Sequence, residues 1–202
     1  MQQSLFKLAD GINILPFDGE ALFYPDFLTN QECEAYYQHI FYSFTWKQEQ
    51  IRMYDKDVLQ PRLTAFCGEP FLDLRYSNHI VKPQHWTDKI LELKQKTEAV
   101  AGAKFTNALF NLYRDGKDSV SWHRDNERYL GFDPVIASIS LGTTRTFQLR
   151  NYSDKTITRS VELTSGSLLI MKGPIQRCWE HQVPKVNKRI GPRINITFRT
   201  LK

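Results

Sequence analysis

The spacing of apolar residues changes character near Gly102. Before it, two stretches repeat at close to 3.6 residues. Thr29-Asn30-Gln31-Glu32 has the form of a capping box, in which threonine and glutamate side chains each satisfy the other residue's backbone N–H. Cys33, Tyr36, Tyr37, Ile40 and Phe41 follow on one stripe, so the spacing predicts a helix from about Thr29 to Phe41. A second helix is predicted from Thr87 as N-cap through Ile90, Leu93, Thr97 and Val100 to a stop at Gly102. Both stripes read as core contacts.

After Gly102 the period falls to two. Short apolar or alternating runs cover Phe105 to Tyr113, Val120 to His123, Val135 to Leu141, Thr146 to Arg150, Ser160 to Leu163, Ser167 to Lys172 and Arg193 to Thr200. Turn-forming stretches such as Arg114-Asp115-Gly116-Lys117, Ser165-Gly166 and Gly173-Pro174 separate them. Many short antiparallel strands without intervening helices predict a sandwich or jelly roll. Between the helices, Trp46 to Tyr76 is aromatic and irregular, and reads only as strands and loops.

Composition narrows the setting. A chain of 202 residues fits one domain with a core of useful size. The start lacks a signal-peptide pattern and no segment is apolar enough to span a bilayer, so a soluble intracellular protein is expected, cytoplasmic, or nuclear in a eukaryote. Cys33, Cys67 and Cys178 form no metal or disulfide spacing and read as reduced thiols. The net charge of +5 invites nucleic acid without requiring it. Lys185, Lys188, Arg189, Arg193 and Arg199 make the C-terminal third the more basic part. A monomer is expected.

The chemistry lies in three places. Residues two apart on extended backbone share a side, so His123 and Asp125 can converge on one ion, and His181 from a distant strand can complete a set of three. Two imidazoles and one carboxylate leave half an octahedron open, the facial arrangement of non-haem Fe(II) oxygenases. In the last strand Arg193, Asn195, Thr197 and Arg199 alternate with Ile194, Ile196 and Phe198, which turns a polar set towards a cavity and an apolar set towards a core. A guanidinium grips a carboxylate bidentately. Asn111 and Tyr113 share a side of an earlier strand and could hydrogen-bond the same small diacid. A bare His-x-Asp recurs by chance, and an alternating C-terminal strand often has one wet side. The joint order, His-x-Asp, then His, then Arg, carries the reading. His39, His79 and His85 have no such spacing and read as structural.

The segment Asn111 to Asp125 followed by Pro192 to Arg199 resembles the AlkB family of Fe(II)/2-oxoglutarate-dependent nucleic-acid dealkylases, closest to its animal-type DNA repair branch. The likeness runs from about Trp46 to the last residue and includes Gln60-Pro61-Arg62-Leu63-Thr64-Ala65 and Ile136 to Gly142. It implies an α+β, mainly β chain: a double-stranded β-helix (jelly roll) core over about 103–202, flanking N-terminal helices, and a nucleotide-recognition lid over about 42–86. Fe(II) as cofactor and 2-oxoglutarate as cosubstrate are implied, with metal ligands His123, Asp125 and His181. Asn111, Tyr113, Arg193, Asn195 and Arg199 are implied as the cosubstrate site, Arg199 as second arginine of the clamp. The implied reaction removes methyl groups from 1-methyladenine or 3-methylcytosine as formaldehyde, in single- or double-stranded DNA and in RNA. A flipped base would meet Trp46 and Tyr76, and Glu127, two residues beyond Asp125, would favour a cationic base. Asn126 departs from the His-x-Asp-Asp-Glu of related repair enzymes, replacing an acceptor-only carboxylate with an amide. Two other readings are an Fe(II)/2-oxoglutarate hydroxylase of a protein or small molecule, and a non-catalytic jelly roll with a structural metal. The first leaves the Trp46, Arg62 and Tyr76 segment unexplained. The second would favour a site closed by four ligands.

Overall fold

Thr29 caps the first helix as its sequence requires: its hydroxyl accepts from the Glu32 N–H at 3.2 Å while the Glu32 carboxylate accepts from the Thr29 N–H at 2.8 Å. The computed structural model describes residues 11–53, 56–70, 74–76 and 79–202, with the backbone alone for 51–53, 56, 74–76 and 79–81. In chain order these residues form β1 (Ile12–Asn13), β2 (Glu20–Tyr24), α1 (Asn30–Ser43), β3 (Gln50–Met53), β4 (Lys56–Leu59) and β5 (Leu63–Gly68). Next come β6 (Leu74–Tyr76), β7 (His79–Val81), α2 (Asp88–Ala101), β8 (Asn107–Tyr113), β9 (Val120–His123) and a 3-10 turn at Arg128–Leu130. The remainder is β10 (Ile136–Gly142), β11 (Arg145–Asn151), β12 (Thr158–Leu163), β13 (Leu168–Lys172), α3 (Ile175–Cys178), β14 (Trp179–Val183) and β15 (Arg193–Arg199).

The strands make a seven-stranded sheet, β1-β2-β13-β10-β15-β8-β5, a four-stranded sheet, β12-β11-β14-β9, and two hairpins, β3-β4 and β6-β7. The mainly β, two-sheet arrangement expected of the sequence is present, with both long helices before the second half of the chain. β5 falls inside the 42–86 span yet is an edge strand of the large sheet, and β1 and β2 extend the opposite edge. Period two had not marked β1, β2 or β14.

Each central strand of the large sheet buries both sides. One side meets the helices: Ala108, Phe110 and Leu112 of β8, Ile139 of β10 and Ile194, Ile196 and Phe198 of β15 pack with Tyr36 and Ile40 of α1 and Ile90 and Leu93 of α2. Full burial of a side chain such as Phe110 contributes about 1.5–3 kcal/mol. The other side meets the small sheet, where Ile136, Leu169 and Met171 pack with Phe147, Leu149, Trp179 and Val183. α2 ends at Gly102, whose φ of 63° is left-handed and returns its N–H to the Glu98 carbonyl. His39 Nε2 lies 2.8 Å from the Thr87 hydroxyl and ties α1 to the start of α2, a structural use of that histidine. Among the described residues no helix is long and apolar enough to cross a membrane.

Candidate metal centre and cosubstrate pocket

The small sheet aligns the two histidines. β14 runs antiparallel to β9 with His181 directly opposite His123, and the rings stand 4.2 Å apart between centroids. Asp125 follows two residues after His123. One ligand atom from each of the three side chains lies within 4.8 Å of the others, a group that could hold a metal ion. His123 Nδ1 lies 2.8 Å from the Ser121 carbonyl, which accepts from it when that nitrogen is protonated and leaves Nε2 with its lone pair towards Asp125, 3.7 Å away. His181 is buried against Phe147, with Nδ1 unpartnered among the described residues.

Electrostatics favour the deprotonated forms a metal requires. Burial alone would raise the Asp125 carboxyl, but Arg199, then both imidazoles, hold it down at about 2. Burial, then neighbouring His123, push His181 down to about 3, so its ring is neutral. The Asp125 backbone N–H donates to Gln176 Oε1 at 2.9 Å, and Gln176 belongs to α3, immediately before the strand that carries His181.

The cavity beside this group measures about 480 Å³ and reaches between the two sheets. Asn111, Tyr113, Ser138, Arg193, Asn195, Thr197 and Arg199 line it from the large sheet, His123, Phe147 and His181 from the small one. An edge strand with one wet side would expose its polar residues. Instead β15 lies between β10 and β8, with Arg193, Asn195 and Thr197 only 1%, 7% and 6% exposed.

Arg193, the first residue of β15, lines the pocket at the opposite end of the strand from Arg199. Its Nη2 donates to the Ser140 hydroxyl at 2.8 Å and its guanidinium carbon lies 5.1 Å from the centre of the Tyr113 ring. Nε and Nη1 meet no acceptor, and no carboxylate pairs with Arg193 among the described residues. Burial lowers its pKa to about 10 against the pull of Tyr113, so it remains a cation. A buried cation with open N–H groups is costly unless an anion meets it. The three-ligand group and this unpaired fork fit a metal ion and a dicarboxylate held between them.

A polar chain lies between the two ends. Arg62 Nε donates to Asn111 Oδ1 at 2.7 Å, Asn111 Nδ2 to Asn195 Oδ1 at 3.3 Å, and Asn195 Nδ2 to the Ser138 hydroxyl at 2.8 Å. The expected cosubstrate residues Asn111, Tyr113, Arg193 and Asn195 are thus brought together. Arg199 stands apart from Arg193, at the metal end, with its Nη2 3.5 Å from Asp125.

The expected base contacts divide. Glu127 lines the cavity, and burial, reinforced by Asp125, raises its carboxyl. Asn126 is exposed and is not among the lining residues. Trp46 is not brought to the cavity either: its Nε1 donates to the Phe41 carbonyl at 3.1 Å and its ring packs against Phe110, on the helix side of the large sheet. That placement corrects the base-stacking expectation for Trp46, which the structure uses as a core aromatic. The side chains of Tyr76 and His79 lie outside the described residues.

Some lining and supporting residues escaped the sequence reading. Ser138 and Ser140 alternate with Ile139 and could have been found by the period that marked β15. Gln176 carries no sequence signal, because it acts through a backbone N–H. Arg62 had stood out only as part of the resemblance.

A family model described as the 2OG-Fe(II) oxygenase superfamily matches residues 20–199. The alkB homolog 3 of Bos taurus, an alpha-ketoglutarate-dependent dioxygenase, is 41% identical over 88% of this chain and 64% of its own length. The DNA oxidative demethylase ALKBH2 of Homo sapiens is 33% identical over 78% of this chain and 63% of its own. The chain thus spans less than two thirds of these relatives. The solved structure of OsALKBH1 superposes with a TM-score of 0.63 at 18% identity, covering 89% of this chain and 97% of that one, a likeness of fold. The family implies Fe(II) and 2-oxoglutarate, which the donor set and the unpaired guanidinium fit. The chain belongs to the 2OG-Fe(II) oxygenase superfamily, and its relatives there are AlkB homologues.

Proposed function

We propose that this chain is an Fe(II)- and 2-oxoglutarate-dependent dioxygenase that removes methyl groups from N-alkylated bases, 1-methyladenine and 3-methylcytosine, in DNA or RNA. The observation that carries the reading is one cavity with a two-histidine, one-carboxylate group at one end and an unpaired buried guanidinium at the other. His123, Asp125 and His181 would hold the iron, which when bound supplies oxygen activation coupled to 2-oxoglutarate oxidation. Arg193 would grip the distal carboxylate of 2-oxoglutarate, with Tyr113 beneath its guanidinium and Ser140 fixing its fork. Asn111 and Asn195, held by Arg62 and Ser138, would orient the cosubstrate along the sheet. Arg199 would steady the Asp125 carboxylate.

Glu127 lines the same cavity as the three candidate ligands. A methyl on N1 of adenine or N3 of cytosine makes the base cationic, and a half-buried carboxylate there would prefer that form to a neutral base. The lid would come from residues 42–86 outside β5, since Gln60, Pro61 and Arg62 already line the cavity. Reduced surroundings suit the chemistry: Cys33 and Cys67 are free and buried, and we place the protein in the cytoplasm, or the nucleus of a eukaryotic cell, acting as a monomer.

The test is formaldehyde release from matched methylated single-stranded DNA, duplex DNA and RNA oligonucleotides. Release from at least one, requiring both Fe(II) and 2-oxoglutarate, is the expected result. Release from none of the three would reject nucleic acid as substrate.

A further inference from the structure

At the edge of the small sheet beside the metal group, three element ends meet: the C-terminal end of β9 at His123, the C-terminal end of β11 at Asn151 and the N-terminal end of β14 at Trp179. Cations stacked on aromatic rings line this edge. The Arg124 guanidinium lies 3.8 Å from the centre of the Tyr152 ring, and Lys155 Nζ lies 4.4 Å from the same centre. Arg150 stacks on Trp122 at 4.2 Å, and Arg177 on Phe132 at 4.6 Å. Arg124 Nη1 donates to the Arg177 carbonyl at 3.1 Å, which joins the groups of Arg124 and Arg177.

The charges do not cancel. Glu180 accepts from both Arg150 and Lys155, and Asp133 pairs with Arg177 with Asp18 as a further carboxylate near it, so the four cations, Arg124 included, face three carboxylates. Arg124 has no carboxylate partner among the described residues, and it also lines the cavity. Arg124 and Lys155 share one ring, and Glu180, bonded to Lys155, leaves Arg124 as the cation of the pair without a counter-charge. A polyanion crossing the edge would supply one. Stacking also fixes the long side chains in place, so less rotamer freedom remains to be lost on binding.

We propose that this rim, centred on Arg124, Tyr152 and Lys155, binds the phosphate backbone of the nucleic-acid strand whose target base enters the cavity. The inference rests on the nucleic-acid reading above and adds the side of the mouth along which the strand runs. Arg124 and Lys155 contact phosphates next to the target nucleotide, while Tyr152 holds the two cations in register. Binding of this kind is independent of base sequence and dependent on salt.

The test is fluorescence-anisotropy titration of a labelled, unmethylated single-stranded 15-mer across a salt series, for the parent protein and for Arg124→Ala and Lys155→Glu. Lys155→Glu changes an exposed side chain, so it keeps the test valid if Arg124→Ala folds poorly. Each variant is expected to bind roughly tenfold more weakly at 0.1 M salt, and Arg124→Ala to lower the log–log salt slope by about 0.7, one phosphate contact on a single strand. Affinity and slope unchanged in both variants, with a parent protein that binds and demethylates oligonucleotides, would overturn the rim alone. A parent protein that neither binds nor demethylates any oligonucleotide would overturn the nucleic-acid reading, and the rim with it.

Discussion

Two guanidiniums project from β15 into one cavity and meet opposite conditions. Arg199 has the Asp125 carboxylate 3.5 Å away, whereas buried Arg193 has only the Ser140 hydroxyl and the Tyr113 ring. Arg193→Ala should therefore raise the KM for 2-oxoglutarate far more than that for nucleic acid, because truncating one partner of a buried charge pair costs about 2–5 kcal/mol. Arg193→Lys should recover only part of this, since a point charge cannot copy the fork. Steady-state kinetics with 2-oxoglutarate as the varied reactant decide it, and an unchanged KM in both variants would place the clamp elsewhere. Gln176 makes a different claim, because its side chain accepts the Asp125 N–H and touches no reacting atom. Gln176→Leu is expected to weaken Mn(II) binding by about 10–100-fold, the usual effect of removing a ligand's hydrogen-bonded support, while Gln176→Glu retains the acceptor and most of the affinity. Equal Mn(II) affinity in the parent protein and Gln176→Leu would show that the loop holds Asp125 unaided. Arg193 was legible in the sequence because its neighbours alternate. Gln176 was not, since nothing in a glutamine's surroundings along the chain announces a bond to a backbone 51 residues away. Trp46 shows the converse: an aromatic quoted for its likeness sits on the far side of the sheet.

Elements with strict periodicity were readable to within a few residues. α1 runs two residues past its expected end at Phe41, to Ser43, and β8 begins at Asn107 rather than Phe105. β14 was missed although Trp179, His181 and Val183 do alternate with Glu180 and Gln182, because five residues after a short helix make a weak signal. β5 was hidden differently: Thr64 to Gly68 are buried throughout, so no alternation exists to be read. At the C-terminal end of α2, Glu98 links the helix to the start of the jelly roll. Its carboxylate accepts from Lys94, Lys104 and the Phe105 N–H, each at 2.8–2.9 Å. Burial would raise this carboxyl, yet those partners hold it at about 2, below the ordinary 4.5. A depressed folded-state value stabilises above the unfolded value, and that contribution is lost as the pH falls from about 4.5 towards 2. With Lys104 88% exposed, the contribution is on the order of 1–2 kcal/mol at neutral pH. Glu98→Gln should lower the urea midpoint at pH 7, and the gap should narrow as the pH is lowered from 4.5 towards 3. A gap that stays constant would mean the carboxylate's charge is not what stabilises this junction.

At the scale of the whole molecule, the division of labour follows from the two sheets. The large sheet supplies the buried cation and the amide chain, the small sheet supplies the histidines, and the cavity lies where these polar side chains meet within an otherwise apolar interface between the sheets. That division could be inferred from alternation in β15 and the order of His123, Asp125 and His181, but the pairing of His181 with His123 needed the folded register. The rim beside the metal group was invisible in sequence for the same reason, since Arg124, Tyr152 and Lys155 meet only through strand ends. The net charge of +5 suggested an anionic partner without locating it. We propose that this one cavity couples 2-oxoglutarate oxidation to removal of a methyl group from a base. That coupling is tested most directly by quantifying succinate and formaldehyde together on a 1-methyladenine oligonucleotide, for the parent protein and for His181→Ala. Equal amounts of the two products are expected from the parent protein, and loss of both in the variant. Succinate without formaldehyde from the parent protein, or undiminished turnover in His181→Ala, would contradict it.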